Sequence, residues 1–223
     1  MRSAWRLPRP LGATTLLLLF AGLPITGQAA ATDAQPSGKE DRAPMSQSHD
    51  TATFAGGCFW CMQPEFDASP GIVSTTVGYT GGTEAHPTYE EVSTGRTGHV
   101  EAIQIVFDPA QVPYERLLEI FWSNIDPTQA DGQFADHGSQ YRTAIFFHSD
   151  AQRRLAETSK QQLERSGRFA KPLVTEMVPA QPFYPAEEYH QRYYEKNATH
   201  YQLYSVGSGR KPFLKRVWGD KHP

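Results

Sequence analysis

The chain has only two cysteines in 223 residues. So few thiols exclude a disulfide-framed scaffold and a four-cysteine zinc site. Charge is also scarce in excess, with a formal net value of −3. That balance offers neither a basic surface suited to nucleic acid nor a polyanionic tail. Internal repeats and low-complexity tracts are absent. Long unbroken apolar runs are lacking too. The best candidate, "LGATTLLLLFAGLPITG", is interrupted by Gly22 and Pro24 and is short for a bilayer span. What remains is ordinary globular composition, 39% apolar, in a length suited to one good-sized domain or at most two small ones. The 17 prolines and 18 glycines predict many turns and few long helices.

The first thirty residues stand apart. "MRSAWRLPRP" carries three arginines and no acid; the apolar run follows, and "QAAA" ends it with small residues. A basic, an apolar and a small-residue region in that order predict a secretory signal over 1–30, cleaved near Ala30. No cysteine follows the run and no paired arginines precede it, which argues against a lipoprotein and a twin-arginine route. Residues 31–50 are polar without apolar period and read as a flexible linker. Folded structure is expected from Thr51 to Tyr204, with a solvated basic tail over 205–223. The expected location is the periplasm.

Within the folded part, "TATFAGG" predicts a strand that ends at glycines, with a helix beginning at or next to Cys58 and shortened by Pro64. "GIVSTTVGYTGG" predicts a second strand. In "HVEAIQIVF" the period of two places Glu101 with Ile103, Ile105 and Phe107 on the more apolar face. A carboxyl group there is desolvated, and its pKa should rise. "VPYERLLEIFWSNID" predicts a helix that starts at Pro113, with Tyr114, Leu117, Leu118 and Phe121 as its buried stripe. "DPTQADGQFADHGSQ" reads as a long polar loop and "YRTAIFFHS" as a strand. A helix follows, capped by Ser149 and Gln152 and stopped by Gly167. "PLVTEMV" reads as a strand and "PAEEYHQRYYEKN" as a last helix. This mixed order favours an α+β fold, one sheet covered by helices, over a doubly wound parallel sheet.

Both cysteines lie in "FAGGCFWCMQPEF", as Cys58 and Cys61. A structural bridge between them would close a loop of about four residues, worth roughly 2 kcal/mol, a poor staple for a chain of this size. Half a zinc site would need a second ligand pair, and none exists at a recognisable spacing. Redox chemistry is the remaining reading. A cysteine at a helix start should have its pKa lowered by the exposed backbone N–H groups, which makes Cys58 the better nucleophile and Cys61 a resolving thiol. Phe59 and Trp60 would line a small apolar pocket suited to a methyl or methylene group. The residues alone leave two enzymes open: a thioredoxin-like thiol-disulfide oxidoreductase, and a reductase that attacks something other than a disulfide. A binding protein that grips its ligand without turnover is a third reading.

"GGCFWC", "GYTGG", "HPTYEEVSTGRTGHVEAI", "DHGSQYRTAIF" and "PFYPAEEYHQRYYEKN" together resemble the A-class peptide methionine sulfoxide reductases, over about 54–201. The resemblance implies an α+β two-layer sandwich of ferredoxin-like type, with a mixed sheet. It implies reduction of the S epimer of methionine sulfoxide, free or in proteins, by a monomer without metal or bound cofactor, regenerated by a thioredoxin-like dithiol. It also implies roles: Cys58 as nucleophile, Phe59 and Trp60 around the S-methyl group, Tyr89 and Tyr141 as hydrogen-bond donors to the sulfoxide oxygen, Glu101 as its proton donor, and Asp136 as an organising carboxylate. Two departures stand out. Many members have Gly where Cys61 stands and keep resolving cysteines near the C-terminus, where this chain has none, so resolution falls to Cys61 or to an outside thiol. Many also carry Glu where this chain has Gln63, which predicts a local polar change.

Overall fold

A computed structural model describes residues 48–219. The signal over 1–30 lies outside them, as does the linker over 31–50 save its last three residues. β1 (Asp50–Gly56) leads into α1 (Phe59–Asp67), β2 (Ile72–Thr80), a short α2 (Tyr89–Ser93), β3 (Val100–Phe107) and α3 (Tyr114–Ser123). A long connection then holds a small hairpin, β4 (Gly132–Gln133) and β5 (Asp136–His137). Next come β6 (Thr143–Phe147), α4 (Asp150–Arg165), β7 (Glu176–Pro179) and β8 (Tyr184–Pro185). Three helices close the described chain: α5 (Tyr193–Lys196), α6 (Ala198–Gly207) and α7 (Arg210–Trp218).

One six-stranded sheet has the order β7-β6-β1-β3-β2-β8. β1 runs antiparallel to β3 and β6, β2 antiparallel to β3 and β8, and β7 parallel to β6. The four central strands, crossed by α1 and α3, make the expected ferredoxin-like α+β sandwich. β3 lies inside the sheet, paired along both edges, and its residues on both faces are largely buried. Ile103, Ile105 and Phe107 pack with Phe54, with Phe59, Met62 and Phe66 of α1, and with Leu117, Leu118 and Phe121 of α3. Val100 and Ala102 face the other way, into a smaller cluster with Ala55, Ala144 and Phe146. The stripe predicted for α3 is buried throughout. Its Pro113 stands one position earlier than expected, as the cap, in extended backbone.

Local chemistry explains several boundaries. Thr88 starts α2 with a reciprocal capping box to Glu91. Ser149 accepts from the Gln152 N–H at the start of α4, while the Gln152 side chain takes the His148 N–H rather than that of Ser149. Ser149→Ala should cost about 1 kcal/mol of stability, measured as a lower urea midpoint at unchanged slope.

Three segments differ from expectation. The polar loop contains the β4–β5 hairpin. The last predicted helix is broken: a 3₁₀ turn spans Glu188–His190, Arg192 takes a φ of +51°, and only one turn of helix follows. Side chains compete with the helical ladder there. Gln191 bonds both the N–H and the carbonyl of Val77, and Gln63 accepts from the Arg192 N–H. The third is the stretch read as a solvated tail. α6 runs through Ser205, α7 follows, and Arg210 is 3% exposed.

Candidate active site

Cys58 caps α1 immediately after β1, where the chain must turn sharply. Gly57 makes that turn at a φ of +80°, and a Cβ there would stand 2.5 Å from the Gln133 Cβ. Gln133 is fully buried and bonds both the N–H and the carbonyl of Asp126, which pins the connection that carries Asp136 and Tyr141 against the start of α1. A cavity of about 150 Å³ opens there. Cys58, Phe59, Trp60, Tyr89, Glu101, Asp136 and Tyr141 all line it. Cys61 does not line it; it is buried one turn along α1. Both thiols are free.

Glu101 is 3% exposed, and its Oε2 accepts the Phe59 N–H at 3.0 Å. Burial pushes its pKa up to about 8; the Phe59 N–H opposes that and Asp136 adds to it. The carboxyl therefore holds its proton at neutral pH. Three phenols surround it. Burial first, and the Glu101 charge second, raise Tyr89 to about 12 and Tyr141 higher. Both hydroxyls stay protonated and able to donate. The third, Tyr204 of α6, donates to Asp136 and completes the lining.

The aromatic wall is braced from the C-terminal segment. Trp60 stacks on Tyr193 with ring centres 3.8 Å apart, and its Nε1–H donates to His190 Nδ1 at 2.9 Å. His190 is 1% exposed, and its ring packs on Phe59 and Tyr89. Glu187 accepts from the Tyr79 hydroxyl and from the Tyr89 N–H, which ties β2 to α2. Tyr204, His190, Tyr193 and Glu187 were not singled out from the sequence. Glu187, His190 and Tyr193 lie within the quoted "PFYPAEEYHQRYYEKN", which marked the segment without assigning roles to them, while Tyr204 lies beyond it.

The thiols depart from the helix-start expectation. Burial pushes the Cys58 thiol well above its usual range, and Cys61 adds to that. Cys58 first, and Arg210 to a lesser degree, hold Cys61 down against its own burial. The physical reason is that the first N–H groups of α1 are already engaged. Phe59 N–H serves Glu101, Cys61 N–H bonds the Cys58 carbonyl, and no side-chain cap bond reaches Cys58. Burial dominates, and little of the helix-terminus field is left to offset it at Cys58.

A paired thiol, a carboxylic acid and phenolic donors around a small aromatic cavity define a thiol-dependent oxidoreductase whose substrate carries an oxygen that must be protonated. Comparison with known proteins narrows this. The family model described as peptide methionine sulfoxide reductase matches residues 50–222. The Peptide methionine sulfoxide reductase MsrA of Bacillus pumilus is 59% identical over 177 residues, covering 79% of this chain and 99% of that protein. Among solved structures, reduced Mxr1 from Saccharomyces cerevisiae aligns with a TM-score of 0.64 at 32% identity, covering 67% of this chain and 86% of its own. Methionine sulfoxide reductase A of Corynebacterium diphtheriae aligns at 0.61 and 34% identity, covering 69% and 77%. The chain belongs to the peptide methionine sulfoxide reductase family.

Proposed function

We propose that Cys58, Glu101 and the aromatic pocket carry out the family's reaction in this chain, the reduction of the S epimer of methionine sulfoxide, free or in proteins, to methionine. The observation that carries this reading is the buried Glu101 carboxyl group lining one cavity with Cys58 and accepting the N–H of the next residue, Phe59, with burial raising its pKa. Phe59 and Trp60 hold the S-methyl group. Tyr89 and Tyr141 donate to the sulfoxide oxygen, and Asp136, held by Tyr204, organises that side of the cavity. The Cys58 sulfur attacks the sulfoxide sulfur while Glu101 protonates the oxygen. The oxygen passes to Cys58, which becomes a sulfenic acid as methionine leaves. Cys58 is oxidised by two electrons and the substrate sulfur is reduced by two.

Cys61 then displaces the hydroxyl group from Cys58 and closes the Cys58–Cys61 disulfide. A thioredoxin-like dithiol reopens it. The signal read over 1–30 supports export, with the periplasm as the proposed location, and a reductant acting there must be a dithiol kept reduced in that compartment.

The test is a single turnover with blocked S and R epimers and no external reductant, on wild type and Cys61→Ser. One methionine per enzyme is expected from the S epimer. Mass spectrometry should find a Cys58–Cys61 bridge in wild type and a Cys58 sulfenic acid in the variant. No methionine from either epimer would overturn the reading and restore the thiol-disulfide oxidoreductase.

A further inference from the structure

Arg210 begins α7, in a stretch read from the sequence as a solvated basic tail, with packing over the site as an alternative. Its guanidinium is instead under the active site. Nη2 donates to the Gly56 carbonyl at 2.9 Å, and Nη1 donates to the Asn124 carbonyl and faces the Met62 sulfur at 3.8 Å. Asn124 in turn donates to the Cys61 carbonyl at 3.0 Å. The charge is thus packed between the end of β1, the end of α3 and the residue after Cys61. Among the described residues no carboxylate pairs with it. Arg210 is 3% exposed, and its guanidinium rests on neutral groups alone, two carbonyls, a thioether and the face of Phe134 at 4.6 Å, so an anion formed nearby would stabilise it further. Cys61 immediately precedes Met62, its carbonyl is held by Asn124, and it does not line the substrate cavity.

We propose that Arg210 is the counter-charge of the Cys61 thiolate, serving both the closing of the Cys58–Cys61 disulfide and its reopening. The proposal rests on Cys61 being the resolving thiol. In closing, the Cys61 thiolate attacks the sulfenic sulfur of Cys58. The S–S bond forms, the S–O bond breaks, and hydroxide leaves and takes a proton to become water. In reopening, a thiolate of the external dithiol attacks Cys58, the cysteine that lines the cavity. Cys61 leaves as a thiolate beside Arg210, the better leaving group of the two. The second thiol of the reductant then frees Cys58 from the mixed disulfide and is itself oxidised. Arg210 acts through Cys61 and is a positioning residue.

The ionisable groups around Cys61 come from several elements. They are Cys58 at the start of α1, Glu101 of β3, Asp136 of β5, Tyr201 of α6, and Arg210 and Lys211 of α7. Cys58 is the larger influence on Cys61 and burial opposes it; Arg210 is the next favourable one, and Asp136 also opposes. The test must therefore separate Arg210 from Cys58.

In a full chain with Cys58→Ser, Cys61 is the single thiol, and its ionisation can be followed by thiolate absorbance. The midpoint should rise on Arg210→Met and return towards the parent value with Arg210→Lys. With both cysteines present, disulfide formation after one turnover is compared with each variant's own methionine release. At neutral pH it should be about tenfold slower in Arg210→Met, because the rate follows the thiolate fraction, and it should recover as pH is raised. An unchanged Cys61 midpoint overturns the proposal. So does a defect of equal size at every pH, which marks a structural role. If wild type releases methionine but forms no Cys58–Cys61 bridge, the resolving role of Cys61 itself fails, a result separate from either of these.

Discussion

Glu101→Gln is expected to lower first-turnover methionine formation by about 10²–10⁴-fold, the usual contribution of a general acid. Gln keeps the volume and can still accept the Phe59 N–H, so the pocket should survive while proton delivery is lost. The pH profile separates the two. In wild type, activity should fall above about pH 8 as Glu101 ionises. That limb should vanish in the variant, whose residual activity should instead keep rising with pH as the raised Cys58 thiol ionises. Stability should move the other way. From pH 4.5 to about 8 the native carboxyl holds a proton that the unfolded chain has released, so this group makes stability fall as pH rises through that window. Gln removes the effect, and the variant should be the more stable protein at pH 8. A variant that is less stable there and loses activity evenly at all pH values would show a packing role instead.

Phe54→Ala should be the most damaging single change in the core. The ring is fully buried at the centre of β1. It stacks on Phe66 at 5.7 Å, Tyr114 at 6.0 Å and Phe121 at 5.0 Å, so it joins α1 and α3 to the sheet. Deleting it leaves a cavity that three rings on two helices cannot easily close. The expected loss is about 3–5 kcal/mol. For a domain of this size that corresponds to a drop in Tm of roughly 6–20 °C. A drop of only two or three degrees would mean that α1 and α3 collapse onto the gap.

Glu101 shows what was legible in advance. Alternation along β3 put it on the apolar face, and desolvation then raises a carboxyl pKa without any knowledge of its neighbours. The four central strands, the α3 stripe and the Ser149 cap were legible for the same reason, since periodicity and capping are local. The ionisation of Cys58 was misjudged because a helix start predicts free N–H groups, and only the folded chain reveals that Glu101 has taken one. Tyr204, His190 and Arg210 escaped because tertiary contacts decide where they go. Gln191 and Gln63 hold their segment in a non-helical path, which removes the period that would have marked its buried side. The basic run in "RKPFLKR" reads as surface, yet its first residue is the buried one.

The small cavity beside Cys58 has a consequence for the proteins this enzyme acts on. It has room for one thioether arm and little more, and its floor thiol is 6% exposed. An oxidised methionine flush with the surface of a folded protein cannot bring its sulfur that deep while its own backbone stays in place. The side chain must stand clear, on a mobile loop, a frayed end or a stretch that has come loose. Repair of a given site is then paced by how often its host lets go of it, and oxidation that has already loosened a structure marks that structure for service first.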